Sequence, residues 1–449
     1  MAVYKHGVYV TEQPTGVVAP VQSTAGLQVV IGTAPINRAS DPYHCTNVPI
    51  LATSLKEATA ALGYDDDYEK YTLCQSMGAC FKVLGVSPVV YINVLDPAKK
   101  TMTETTVQVN SGVATVAVKD ILLDKLVVKS ASTALTAGTD YTAAFDDEGC
   151  VTIAIIPGGK AASATSLTVS GTQIDPTAVT ADDVVGGVNA QGVETGMEVI
   201  RQIYPALNMT PGILLAPGWS ENATVAAGLQ AKTTGINGVF RAVCIVDVDS
   251  STTGAKMYTG VKQQKEKQAI TSANCYPVWL YAKVGDVVYA GSAMAAALTV
   301  ATDAANGDIP YVSPSNKTLA ISAACLKDGT EVLLDQEQAN VVNSFGVATW
   351  LNMSGFRLWG NNTACYPGNT DPKDRWFSVR RFMSWDDNTF IQTYFQKVDD
   401  PLNKRLIEAL VDSENVRGNS FVSRGICARH EIQYIESENP TTSLLNGCI

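Results

Sequence analysis

Apolar positions along this chain follow two rhythms. From Gln28 short apolar runs alternate with segments of helical period: LQVVIG reads as a buried strand, SLKEATAAL as a helix opened by Ser54 with Glu57 at capping-box spacing, YTLCQSMGACFKVLG as a further helix, and VVYINVL as a second strand. The rhythm stops at Asp96-Pro97 and resumes near Thr195. There GMEVIRQIY, the strand GILLA, the helix ATVAAGLQAKT, the strand FRAVCIV, a helix over Val261 to Ala269 and the strand PVWLY follow one another. One α/β domain is therefore expected to be split by an insertion.

The stretch between, residues 98–180, changes to period two, with runs such as TTVQVN, KLVVKS, VTIAII and SLTVSG divided by turn residues. It predicts a small all-β domain, whose only aromatic residues are Tyr141 and Phe145. Val3 to Val18 alternates Tyr and Val with polar residues but is broken by Gly7, Pro14 and Gly16, the pattern of an extended arm. The prolines at 310 and 314 precede a last region with a helix QEQANVVNSFG, a strand near ATWLNM and a long helix placed at Pro401 to Val416, with Asp400 as its cap. The expected architecture is mixed α+β and multidomain: an N-terminal arm (1–22), a discontinuous α/β core domain (23–97 and 181–330), an inserted β-rich outer domain (98–180) and an α/β C-terminal domain (331–449).

Composition narrows the function. With 46% hydrophobic and 17% charged residues over 449 positions, the chain is an ordered one with several folding units. Its net charge of -11 and lack of any basic tract disfavour nucleic acid as a partner. The apolar run Val287 to Ala301 is too short to span a bilayer and reads as a buried Ala-rich helix. The N-terminus lacks the apolar core of a secretory signal, so synthesis and assembly in a cytoplasm are expected. The ten cysteines form no CxxC pair and read as reduced core residues.

Catalytic chemistry finds little support. His6, His44 and His430 are isolated, and no HExxH, P-loop or GxGxxG is present. The nearest approach to a nucleophile elbow, Pro217-Gly218-Trp219-Ser220, lacks the second glycine, and Ser220 reads as the cap of the helix that follows. No catalytic, cofactor-binding or metal-binding residue is assigned. Paired acids such as Asp65-Asp66 and Asp386-Asp387 read as solvated loop residues. Lys404 and Arg405 lie opposite an apolar stripe, where Lys404 pairs with Glu408 at i,i+4. They are either a solvated face or a contact to an acidic partner surface.

Two blocks carry a resemblance. The run His6-Gly7-Val8-Tyr9-Val10-Thr11-Glu12 with Gly32-Thr33-Ala34-Pro35 is similar to the opening of contractile phage tail sheath proteins. The run Gly355-Phe356-Arg357-Leu358-Trp359-Gly360-Asn361-Asn362-Thr363, followed by Trp376 to Arg381, resembles that family's Gly-x-x-x-Trp-Gly-x-x-Thr segment and its double-arginine strand. The motif residues are Gly355, Trp359, Gly360, Asn361, Thr363, Arg380 and Arg381. Asn362 departs from the pattern, in which many relatives carry Arg. On a strand Arg380 and Arg381 point to opposite faces, so one is buried against a carboxylate while the other meets a neighbour, or both are surface groups.

The resemblance implies a structural, non-enzymatic subunit that polymerises helically around a tail tube and contracts to drive the tube through a cell envelope. It implies the subunit itself, the tube protein, the baseplate and the tail terminator as partners, in the tail of a phage virion or of a phage-tail-like bacteriocin assembled in a bacterial host's cytoplasm. It also implies an arm, Val3, Tyr4, His6, Gly7, Val8, Tyr9 and Val10, that adds a strand to a neighbour, and a tube-facing position for Lys404 and Arg405. The chain ends at Gly447-Cys448-Ile449, where the family pattern continues into a C-terminal arm. The competing expectations are an α/β enzyme with its site at the carboxyl ends of its strands, or a cell-surface binding protein carrying the β domain.

Overall fold

The computed structural model describes residues 24–97, 100–400 and 403–440. The expected arm residues Val3 to Val10, and the end of the chain from 441, lie outside the described residues.

Strand β1 (Gln28–Gly32) has all five residues buried, the apolar run Val29 to Ile31 together with the polar Gln28. After it come β2 (Pro49–Ala52), helix α1 (Leu55–Leu62), α2 (Thr72–Met77) with a π-helical continuation to Leu84, and β3 (Val89–Asn93). Ser54 caps α1 by accepting from Glu57 N, while the Glu57 carboxylate turns back to Thr53.

The chain then leaves for the insertion, β4 (Lys100–Gln108), β5 (Val113–Val116), β6 (Val127–Ser130), β7 (Thr133–Ala134), β8 (Tyr141–Phe145), β9 (Val151–Ile155) and β10 (Ser166–Gln173). These strands form two sheets, β4-β10-β6-β7 and β5-β9-β8. Both sheets supply one apolar core, which includes Met102, Val107, Val128, Leu167 and Val169 from the first and Ala114, Val116, Tyr141, Val151 and Ile153 from the second. The alternation of the sequence has this cause: every second residue points into the shared core. β4 and β10 are antiparallel neighbours with Lys100 opposite Gln173, so the insertion leaves and returns side by side.

Returning, the chain forms α3 (Ala181–Val185), the hairpin β11 (Gly187–Val188) and β12 (Glu194–Thr195), a 3-10 segment, α4 (Ile203–Leu207), β13 (Ile213–Leu215), α5 (Ala223–Ala231), β14 (Val243–Val248), α6 (Val261–Lys267) and β15 (Cys275–Trp279). The main sheet has the order β15-β14-β13-β1-β3-β2, parallel except for β2. Strand order reverses at β1: the first half of the chain builds to one side of it and the second half to the other. Asn222, not Ser220, caps α5, and the Ser220 hydroxyl donates instead to the buried carboxylate of Asp247. Next come β16 (Tyr281–Val284), β17 (Val287–Tyr289), the almost wholly buried α7 (Gly291–Ala304) and β18 (Ala323–Cys325). Its alanines let α7 approach the sheet closely.

The last part comprises α8 (Gln336–Ser344), β19 (Thr349–Asn352), β20 (Phe356–Trp359), α9 (Pro372–Arg375), α10 (Phe377–Tyr394) and α11 (Lys404–Ser423). The chain divides into two compact units at Asp387/Asn388, not near residue 330. Residues 331–387 join the sheet unit because Ala348 exchanges hydrogen bonds with Pro277 and Trp279 of β15. In the other unit α11 begins at Lys404 with Asn403 as its cap, so Asp400 does not cap it. The double-arginine segment is helical, not a strand. Phe377, Arg381, Ser384 and Trp385 are all buried, which is helical spacing; the short window WFSVRR alone reads equally as alternation. Of the cysteines, Cys45, Cys74, Cys80, Cys244, Cys275 and Cys325 are buried free thiols, whereas Cys150, Cys365 and Cys427 are only half-buried.

Candidate functional site

The motif residues meet where the hairpin β19-β20 and the start of α10 join the sheet. Trp359 closes the hairpin and donates its indole N–H to Asn340 Oδ1 at 3.0 Å on α8. Asn343, one turn on, donates to the carbonyls of Val347 and Trp359, both at 2.9 Å. The chain then turns at Gly360, whose φ of +131° is closed to most side chains. A Cβ there would stand 2.9 Å from Asn343 Nδ2 and 3.1 Å from Ala348 Cα. The Gly360 carbonyl accepts from the buried Tyr276 hydroxyl at 2.6 Å, and the Tyr276 ring stacks on Phe377 at 4.0 Å between centroids.

Asn361 starts α10: its carbonyl accepts from Phe377 N and its side-chain oxygen from Ser378 N. Asn362 accepts from Arg375 Nε at 3.0 Å, which ties it to α9. Thr363 is fully buried and donates to the Asp374 carbonyl at 2.6 Å. Gly355 lies in the exposed turn of the hairpin, apart from this cluster.

The two arginines share one helix and do different things. Arg381 reaches α7 and forms a two-pronged ion pair with Asp303, at 2.9 and 2.5 Å, with side chains 2% and 3% exposed. It also donates to the Ala25 carbonyl. Arg380 stays within the C-terminal joint, donating to Asn274 Oδ1 at 2.7 Å and pairing with Asp374.

Beneath the joint lies a group that local sequence gave no reason to pick. Lys265 of α6 is buried and its ammonium donates to the carbonyls of Phe345, Ala364 and Tyr366 at 2.6, 2.7 and 3.2 Å. Burial pushes it down to about 8. Within VKQQKEKQ it looks like one more solvated lysine, and its acceptors are backbone atoms at least eighty residues away, which leave no mark in sequence. Asn343, Tyr276 and Asp303 were missed for the same reason.

The carboxyl ends of β1 and β13, at the reversal of strand order, border a cavity of 340 Å³ lined in part by Tyr68, Thr72, Trp219, Tyr281 and Lys327. Its polar atoms engage one another. Trp219 Nε1 donates to Thr72 Oγ1, and both Lys327 and Tyr281 donate to Glu221. Burial pushes the Glu221 carboxyl up to about 7, and burial likewise raises the carboxyl of Asp247, to which Ser220 and Ser292 donate. Among the described residues no cluster of His, Cys, Asp and Glu could hold a metal ion, and no helix is long and apolar enough to cross a membrane. Lys404 and Glu408 form a 3.7 Å pair with side chains 88% and 61% exposed.

No family model matches the chain. It is 29% identical over 463 aligned residues to the tail sheath protein of Burkholderia phage BcepMu, covering 99% of this chain and 92% of that one. Along nearly its whole length the chain is similar to contractile tail sheath proteins. A putative prophage major tail sheath protein of Pseudomonas aeruginosa is 26% identical over 70% of this chain and 78% of its own length. Among solved structures, the sheath complex of an extracellular contractile injection system in its contracted state has a TM-score of 0.55 at 14% identity, covering 100% of this chain and 92% of that one. A sheath tail protein of Desulfitobacterium hafniense has a TM-score of 0.52 at 11% identity, covering 93% and 89%. At these identities the structural likeness shows the fold. The motif around Gly360 reads as an internal joint: its donors and acceptors are engaged within the chain.

Proposed function

We propose that this chain is the structural subunit of a contractile tail sheath, which polymerises helically and contracts, and that it is not an enzyme. The observation that carries this reading is the match along 99% of the chain to a protein named as a tail sheath protein. Contraction in this reading is a downhill change between two packings of folded subunits and consumes no nucleotide. A subunit that must shift as a body needs its own segments locked together, and the Arg381–Asp303 pair and the Lys265 carbonyl cage supply such locks.

We further propose the finer assignments. The subunits surround a tail tube and meet a baseplate and a terminator. Val3, Tyr4, His6, Gly7, Val8, Tyr9 and Val10 form a strand donated to a neighbour, which joins subunits through main-chain hydrogen bonds while leaving them free to rotate. Lys404 and Arg405 face the tube. The β insertion, residues 98–180, projects outward, and assembly takes place in the host cytoplasm.

Negative-stain electron microscopy of the full-length protein over a concentration and salt series, alone and co-expressed with the tube protein, tests the main reading. Tubes or stacked rings with a regular axial repeat are expected. Monomers under every condition, tube protein included, would overturn it. Removal of residues 1–18 is expected to leave a folded monomer that no longer polymerises; normal assembly of that variant would sink the arm assignment alone.

A further inference from the structure

The insertion has its own core and is joined to the sheet by two chain connections, the arrangement of a domain free to swing. Its contacts with the sheet's first half say otherwise. Tyr71, at the start of α2 and 2% exposed, donates its hydroxyl to Asp120 Oδ1 at 2.5 Å. Burial raises the Asp120 carboxyl, and Asp120 itself sits at φ +69°, with its carbonyl accepting from Ile174 N beside the returning strand. The next residue, Ile121, offers its carbonyl to the buried Asn37 amide at 3.3 Å. Tyr43 donates to both oxygens of Asp124, at 2.8 and 3.0 Å, with Lys125 over its ring.

The fourth contact is made by shape. The Arg38 guanidinium, fixed by the Tyr64 carbonyl at 2.5 Å and Asp65 at 3.2 Å, lies flat against the turn before β9 at Gly149. A Cβ on Gly149 would stand 1.9 Å from an Arg38 nitrogen, and the residue has φ +81°. Four contacts thus connect one short stretch of the sheet domain, residues 37–43 with Tyr71, to two loops of the insertion, around 120–124 and at 149. Three separated points fix a body's orientation where one or two leave a rotation free.

We infer that Tyr71–Asp120, Tyr43–Asp124 and the seat of Arg38 on Gly149 form a clamp that makes the inserted β domain one rigid body with the sheet domain. Any movement of the sheet domain carries the insertion through the same angle, and whatever the insertion displays is displayed at a fixed attitude. This holds whether or not the chain builds a sheath.

The test uses the full chain, with thermolysin cleavage at the returning connection, residues 175–180, and hydrogen exchange over residues 37–43 and 119–125. The Tyr43→Phe/Tyr71→Phe variant keeps both rings and both cores, so each domain is expected to retain its circular dichroism and melting. Cleavage should be about tenfold faster or more than in the wild type, and exchange should rise in both segments. Gly149→Ala should also speed cleavage, and adding Arg38→Ala should recover part of that loss by removing the collision. The clamp is overturned if the wild type is cleaved as fast as the double variant, or if the double variant resists cleavage as well as the wild type. Should the tyrosine variant fail to fold, Gly149→Ala decides alone: cleavage as slow as in the wild type overturns the clamp.

Discussion

The joint around Arg381 and the clamp around Tyr71 each fasten a separate length of chain to the same sheet, but with different materials. At the joint a guanidinium and a carboxylate are withdrawn almost wholly from water and an ammonium is held by three carbonyls. At the clamp two tyrosine hydroxyls meet carboxylates, one of these pairs exposed to solvent. A buried ion pair contributes little net stability over an apolar contact, but losing one partner strands the other charge. A tyrosine–carboxylate hydrogen bond can exchange with water at modest cost. The joint should therefore fail only with the fold, and the clamp can be released while both domains stay folded.

Breaking the ion pair tests this contrast most severely. Arg381→Met strands Asp303 and is expected to destabilise the sheet unit by about 3–5 kcal/mol; Arg381→Met/Asp303→Leu should recover a large part of it, read by urea unfolding. Gly360→Ala comes next, at roughly 2–4 kcal/mol, since the new methyl meets a backbone atom as well as the Asn343 amide in a conformation costly for alanine. Thermal unfolding checks it, and an unchanged midpoint would remove Gly360 from the joint.

Lys265→Met, which leaves three buried carbonyls without their donor, should cost roughly 2–4 kcal/mol near neutral pH. This lysine also sets a pH dependence. Folding lowers its pKa from the ordinary 10.5 to about 8, so between these values the unfolded chain binds the extra proton. The wild type should gain stability relative to Lys265→Met as pH rises from 8 towards 10, and the difference should be flat below 8. The smallest effect is expected at the clamp, where Tyr71→Phe should cost about 1 kcal/mol and leave the unfolding of the sheet unit nearly unchanged. A loss as large as that of Arg381→Met would erase the distinction between the two attachments.

The two attachments were also unequally legible in the sequence. The strands β1 and β3, the Ser54 cap and the alternation of the insertion follow from local period, because burial of one face imposes it residue by residue. The Trp359-Gly360-Asn361 segment stood out through its family resemblance, yet sequence did not reveal that its work is internal. The resemblance implied a strand for Arg380 and Arg381, and the six residues Trp376 to Arg381 cannot by themselves distinguish period two from 3.6. Ser220 was read as a cap because Asn222, two residues on, is an equally good one. Tyr71 and Asp120, forty-nine positions apart, carry no signature of each other. A hydrogen bond between distant residues requires only compatible chemistry at both ends, and compatible pairs are everywhere in a chain of this length.

Lys100 and Gln173 stand opposite one another on neighbouring antiparallel strands, so the sheet domain sees the insertion as two stubs about 5 Å apart. A folded module whose end strands pair holds that gap closed with its own hydrogen bonds, so the closure cost that would otherwise grow with the inserted length does not fall on the sheet domain. The position therefore works as a socket: a module whose first and last strands pair antiparallel can plug into it, and Tyr43, Tyr71 and Arg38 then decide whether that module is also held at a fixed attitude.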